Sequence, residues 1–190
     1  MGDQHTGDGS AAGSAPAGSG NAPARYTARP LPDYRHVPGR TPHPTRDPRG
    51  HSYGHVSGPL PDLNTADWRA CAEYLYGLDL FNAGYWWDCH EVLETLWHVA
   101  GLGTPAGHAL QAVIQCAAAH LKVECGQPVG AKRLTSHAEA HAAWGGALML
   151  GLDLRALVAA TRAHVAHDGP AARTILPGGP QEAGDKREVL

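Results

Sequence analysis

Apolar residues from position 64 onward recur every three or four residues, the spacing that places them on one face of an α-helix. Helix-capping residues, prolines at helix starts and glycines at helix ends divide this region into five segments. The predicted helices span residues 66–82, 85–100, 105–125, 128–149 and 153–167. Because connections of a few residues make consecutive helices antiparallel neighbours, the pattern predicts an all-α fold, a compact bundle of about five helices.

This helical pattern is confined to a domain predicted over residues 64–168. Residues 25–63 contain eight prolines, which exclude helix, but also aromatic and aliphatic side chains that need burial. We therefore predict a proline-rich, extended N-terminal arm packed on the bundle. Residues 1–24 are rich in Gly, Ser, Ala, Asn and Pro and are predicted to be a disordered tail. Residues 169–190, with further prolines and glycines, are predicted to be a flexible C-terminal tail.

Composition and charge narrow the classes of function. The net charge is −3 with histidine neutral, and the arginines form no basic stripe, so nucleic acid is not an expected partner. No apolar run is long enough to span a bilayer, and the N-terminus lacks the apolar region of a secretory signal. We therefore expect no membrane association and a cytoplasmic location. Four cysteines without C-x-x-C spacing are expected to be buried thiols, not disulfides.

The predicted second helix carries an imidazole and two carboxylates on about one turn, His90, Glu91 and Glu94. His90 and Glu94 stand at positions i and i+4, from which a helix can offer two ligands to one metal ion. The known zinc helix motif has histidine at both positions, whereas a site with more carboxylates suits zinc, manganese or iron alike. A helical wheel places Glu91 away from the other two, where it is a candidate general base. The alternative is a structural hydrogen-bond network with no metal.

Five further residues are candidates for supporting or substrate-binding positions. Gln115, on the third helix, could reach the His90–Glu94 pair, and Lys122 could hold a substrate anion, unless this face is simply solvated. His120 is expected either to pack in the interior or to serve as a third ligand. His43 and His51, on the proline-rich arm, could close over the site or only pack against the bundle.

Residues 81–97, FNAGYWWDCHEVLETLW, resemble a known family signature, F-N-x-G-x-[FYW]-x-E-A-H-E-x-L-E-x-x-W. That signature is characteristic of the bacterial and archaeal "domain of unknown function 309" family. Residues 113–119 and 126–131 are similar to two further elements of that family, and residues 38–53 are similar to an N-terminal extension of many bacterial members. The resemblance implies a small all-α domain. Because the family has been labelled a metal-dependent hydrolase, the resemblance also implies that activity.

The chain departs from the signature at Asp88, where glutamate is common, and at Cys89, which replaces alanine. Neither change removes His90, Glu91 or Glu94. The leading hypothesis is therefore a metal-dependent hydrolase acting on an unknown small molecule. The alternative is a non-catalytic helical binding or scaffold domain with a protein partner, in which the polar cluster is structural. Homo-oligomerisation is compatible with both.

Overall fold

The computed structural model describes residues 25–55, 58–144, 148–167, 169–174 and 176. Within these residues there are five α-helices, one short 3-10 helix and no β-strand. The helices are α1 (Ala72–Asn82), α2 (Trp86–Ala100), α3 (Pro105–Glu124), α4 (Pro128–Trp144) and α5 (Leu154–Val165). The predicted all-α fold with five packed helices is confirmed.

The predicted helix starts and ends follow from local chemistry. Thr104 caps α3 by accepting a hydrogen bond from the N–H of Gly107, and Pro105 occupies the first turn. Asp153 caps α5 in the same way. Gly101 and Gly126 follow α2 and α3 with φ angles of 85° and 69°, a left-handed region that glycine enters without strain.

The first and fourth helices are shorter than predicted. The segment expected to begin the first helix is instead a 3-10 turn, Trp68–Ala70, capped by the Asp67 side chain. Cys71 then has an extended backbone, and α1 begins only after it. The fourth helix is described as Pro128–Trp144, and residues 148 and 149, which were predicted to belong to it, are not helical.

The third helix is the centre of the bundle, because α2, α4 and α5 all pack against it. The core consists mainly of large side chains from α1 and α2 with smaller ones from α3, including Tyr74, Phe81, Leu93, Leu96, Leu110 and Ala117. Gly77 lets α1 approach α2 closely, since a Cβ at this position would lie 2.5 Å from Cδ2 of Leu93. This contact fixes α2, which carries the candidate site.

The described part of the arm lies against the bundle and is held by hydrogen bonds to α1 and its neighbourhood. Asp79, buried on α1, accepts bonds from the N–H groups of Tyr26 and Thr27 and from the Thr27 hydroxyl. The Tyr76 hydroxyl donates to the carbonyl of Pro30 at 2.9 Å. The Tyr85 hydroxyl donates to another arm carbonyl at 3.1 Å. Because the proline-rich arm forms no helix or strand, its backbone N–H and C=O groups need other partners. Side chains of the bundle supply them.

The segment predicted to be a flexible C-terminal tail also touches α1 where it is described. The Thr174 N–H donates to Oδ1 of Asn82 at 2.7 Å, and Leu176 is 5% exposed. The Tyr26 hydroxyl donates to the Thr174 carbonyl and accepts from the Leu176 N–H. The predicted disordered tail, residues 1–24, lies outside the described residues, and the predicted segment boundaries stay predictions.

None of the helices in the described part of the chain is both long and apolar enough to cross a membrane. The cysteines are free thiols; Cys71, Cys89 and Cys116 are buried and Cys125 is partly buried. Burial raises the pKa of Cys116 to about 12, so this thiol stays protonated and unreactive.

Candidate functional site

The second helix brings His90, Glu91 and Glu94 together. One potential ligand atom from each, an imidazole nitrogen and two carboxylate oxygens, lies within 4.8 Å of the other two, and all three residues are half-buried. Among the residues that the structure describes, this is the one group of three or more His, Cys, Asp or Glu side chains so arranged.

The imidazole of His90 is the centre of this group. Its Nδ1 lies 3.4 Å from Oε1 of Glu91, close enough for an ion pair but without hydrogen-bond geometry. The neighbouring Glu91 carboxylate raises the pKa of His90, burial opposes this, and the charge of Glu94 adds to the increase. The imidazole in turn lowers the pKa of Glu91. The group therefore favours a positive charge at His90, whether from a proton or from a bound cation.

The helical wheel was wrong about the direction of Glu91. Adjacent helix positions point about 100° apart, but the glutamate side chain is long enough for its carboxylate to fold back toward His90. Its role as a general base stays a prediction. A carboxylate with a lowered pKa is a weaker base near neutral pH.

A cleft of about 250 Å³ opens beside this group, between the arm and the first two helices. Its polar lining includes side chains from both, Arg29, Ser52, His55, Glu73, Asp88 and Glu91. Leu80 and Val92 add apolar surface. Glu91 thus belongs both to the three-residue group and to the wall of a space large enough for a small molecule.

His51 closes over the start of α2 through a contact that the sequence analysis did not foresee. Its Nε2 lies 2.7 Å from Oδ1 of Asp88, with side chains only 7% and 9% exposed. Burial raises the pKa of Asp88, and the hydrogen bond to His51 opposes the shift. The signal in the sequence is the acidic residue that Asp88 provides at a signature position where glutamate is common. His51 therefore joins the arm to the helix that carries the site.

His43 reaches the same region through aromatic contacts. Its ring lies 5.1 Å from that of Trp87 and 5.3 Å from that of His36, and Trp87 in turn lies 6.1 Å from the ring of His90. Gly50 fixes the local turn, because a Cβ there would lie 2.2 Å from the Pro44 carbonyl oxygen. The arm histidines thus border the site, and their predicted ligand role stays a prediction.

The polar side chains predicted on α3, Gln115 and Lys122, make hydrogen bonds to neighbouring glutamines. The Gln115 amide nitrogen donates to Oε1 of Gln111 at 3.2 Å, and its own buried Oε1 has no hydrogen-bond partner among the described residues. Lys122 stands seven residues later, about 10 Å along the helix. Its ammonium donates to Oε1 of Gln127 at 2.8 Å. The anion-binding role of Lys122 stays a prediction, as does the contact of Gln115 with the group on α2.

His120 lies in the core. Its ring stacks on Trp86 at 4.4 Å and 17°, meets Phe81 edge-on, and lies 4.6 Å from the ring of His164. Burial, reinforced by the neighbouring His164, lowers the pKa of His120 to about 3. Packing of His120 in the interior as a neutral imidazole is one of the two roles predicted from the sequence. The other, a third metal ligand, stays a prediction.

Comparison with known proteins identifies part of this region. Residues 74–134 match the family model described as Domain of unknown function (DUF309). The matched span covers about a third of the chain, from α1 to the start of α4, and contains His90, Glu91, Glu94 and Gln115. The resemblance noted in the sequence is confirmed over these residues. No curated protein and no solved structure matches the chain. The DUF309 description names no reaction.

Proposed function

We propose that His90, Glu91 and Glu94 hold a divalent cation and that the protein is a metal-dependent hydrolase. The observation that carries the proposal is the proximity of three ligand atoms within 4.8 Å at the edge of a cleft of about 250 Å³. A small-molecule substrate in that cleft would lie beside Glu91.

The donor set fits such an ion. One imidazole and two carboxylates suit zinc, manganese or iron, and two negative charges balance a divalent cation. Two ligands about 2.1 Å from one ion are at most about 4.2 Å apart. A small rotation of the long Glu94 or Glu91 side chain closes the difference from 4.8 Å. Three protein ligands also leave positions open for water and substrate, as in catalytic zinc sites.

The bound ion would polarise a substrate oxygen and acidify a water molecule. The residues of the chain supply the rest. Arg29 is a cation in the cleft lining, where it can bind an anionic group of a substrate. The His51–Asp88 contact holds the arm over α2 and so preserves the cleft wall.

A specific observation favours a second candidate, a non-catalytic domain in which the group is structural. The pKa of His90 is raised by Glu91 and Glu94, so an imidazolium can neutralise both carboxylates without a metal. A proton and a metal ion compete for the same nitrogen, and metal binding at His90 should therefore release a proton. The two candidates make opposite predictions for metal titration.

The deciding experiment is calorimetric titration of the untagged, chelator-treated protein with Zn²⁺, Mn²⁺ and Fe²⁺. Glu94→Gln and His90→Gln should each weaken binding at least about tenfold, since each removes one of three ligands. Glu73→Gln, which removes a cleft carboxylate outside the group, is the control and should bind normally. Equal binding by the wild type and by Glu94→Gln would overturn the metal site.

Hydrolysis is tested separately with the metal-loaded wild type on model p-nitrophenyl esters and phosphodiesters. Metal-dependent turnover that is lost in Glu94→Gln supports the reaction class. Stoichiometric metal with no turnover on any ester class would leave a metal-binding domain and overturn the hydrolase. The proposed small-molecule substrate depends on this result, whereas the proposed cytoplasmic location and absence of nucleic-acid partners do not.

A further inference from the structure

Two histidines on neighbouring helices, one on α3 and one on α4, form a pair that the proposed function does not use. Nδ1 of His108, on α3, lies 2.9 Å from Nδ1 of His141, on α4. Their ring centroids are 5.2 Å apart and the rings are inclined by 44°. Without a ligand, one imidazole donates this hydrogen bond and the other accepts it.

The pair is held in place by its surroundings. Both residues are half-buried where α3 and α4 pack. The ring of Trp144 stacks on His108 at 5.0 Å and only 3° from parallel, although Trp144 itself is 75% exposed. A stacked indole limits rotation of the imidazole, so less freedom is lost when His108 binds a ligand.

The geometry points to a second metal site, in which His108 and His141 bind one Cu²⁺ or Ni²⁺ ion through their Nδ1 atoms. Adjacent ligands of a square-planar or tetragonal ion, each about 2.05 Å from the metal, are about 2.9 Å apart. The two nitrogens already have this separation. Imidazole nitrogens are typical ligands of these ions, and Cu²⁺ binds such sites most tightly among the common divalent metals.

A third imidazole is available one helical turn away. His137 precedes His141 by four residues on α4, so both project from the same face of the helix. His137 is exposed and free to change its side-chain rotamer. We assign it as an auxiliary ligand, one that strengthens the site formed by His108 and His141.

This site is separate from the one proposed on α2. It uses imidazoles alone, whereas the α2 group has two carboxylates, so the two sites should differ in metal preference. It also joins two helices, and a bound ion should therefore resist their separation.

The test uses untagged, full-length protein carrying Glu94→Gln, which weakens the α2 group. Electron paramagnetic resonance of the Cu²⁺-loaded protein reports the number of nitrogen ligands, and competition with a chelator reports affinity. We expect one tight Cu²⁺ per chain with at least two nitrogen ligands. His141→Phe and His108→Phe should each lower affinity at least about tenfold, because chelation by two residues is lost. His137→Ala should lower it less.

His98→Ala, which removes an exposed histidine from α2, is the matched control and should leave affinity unchanged. Because a phenylalanine variant could alter packing, Ni²⁺ provides a second measurement on the unaltered pair: it should raise the melting temperature of the Glu94→Gln protein. A one-nitrogen spectrum, or equal affinity in the His141→Phe and His98→Ala proteins, would overturn the assignment. If the wild type binds Cu²⁺ and the Glu94→Gln protein does not, all Cu²⁺ binding lies on α2 and the assignment is overturned.

Discussion

Asp79 connects the arm to α1, and Asp79→Asn tests how much stability depends on that connection. The carboxylate is buried on α1 and accepts three hydrogen bonds, from the Tyr26 N–H at 2.6 Å, the Thr27 N–H at 2.9 Å and the Thr27 hydroxyl at 2.6 Å. Arg25 adds a weaker ion-pair contact at 3.6 Å. Asparagine has nearly the same shape but has one acceptor oxygen where aspartate has two.

The expected loss of stability follows from this count. If the amide oxygen keeps the bond to Tyr26, its NH₂ group faces the part-buried N–H of Thr27, which then loses its acceptor. Hydrogen bonds to charged groups contribute about 1.5–3 kcal/mol each, and an unpaired buried donor costs about 1–3 kcal/mol. The two figures describe the same loss, so the variant should lower the free energy of unfolding by about 1.5–3 kcal/mol.

Urea denaturation followed by circular dichroism measures this difference, with Glu73→Gln as a control on the same helix. Hydrogen exchange should accelerate at Tyr26 and Thr27 in the Asp79 variant, while amides in the middle of α3 keep their protection. A loss below about 1 kcal/mol, or equal losses in both variants, would show that the arm is not held by Asp79.

Three further outcomes are expected. Gly50→Ala should lower the melting temperature, because its Cβ would lie 2.2 Å from the Pro44 carbonyl oxygen; a calorimetric scan with no decrease would refute the close approach. His90→Gln should destabilise the metal-free protein more at pH 6 than at pH 9. The raised pKa of His90 gives the folded protein a stabilising charge that is present at low pH and lost as pH rises. An equal loss of stability in urea titrations at both pH values would contradict this. His120→Phe should flatten the acid loss of stability. The pKa of His120 falls from 6.5 to about 3 on folding. Each pH unit below 6.5 therefore favours unfolding of the wild type by up to about 1.4 kcal/mol. Identical profiles of stability against pH for the wild type and the variant would argue against a buried neutral ring.

The helices were predictable because their determinants are local. Thr104, Pro105 and Gly101 fix the ends of α2 and α3 through backbone geometry that depends on a few neighbouring residues. The first helix was predicted too long because Asp67 caps a separate turn and Cys71 is extended, a choice that periodicity alone does not reveal.

The site was only partly predictable, since its contacts depend on side-chain length and on distant segments. The spacing of His90 and Glu94 indicated one face of a helix, but the return of the Glu91 carboxylate to His90 depends on side-chain torsions. The pairing of His51 with Asp88 joins positions 37 apart. Asp88 lies within an amphipathic helix, and its burial, which requires a polar partner, is visible only in the structure.

The histidine pair on α3 and α4 illustrates the same limit. Its two members are 33 positions apart, and no local spacing connects them. Packing of two helices, and not any local motif, sets the distance between the nitrogens.

The contact of Tyr26 with Thr174 and Leu176 has a consequence for biosynthesis. These hydrogen bonds join positions 148 and 150 apart. At a translation rate of about 5–20 residues per second, the ribosome adds the later partners roughly 7–30 s after the earlier one. The segments that form α1 to α3 are complete well before then. A nascent chain therefore passes through an interval in which these helices can assemble while Tyr26 still lacks its last partners, and during that interval its arm is most open to proteases and chaperones.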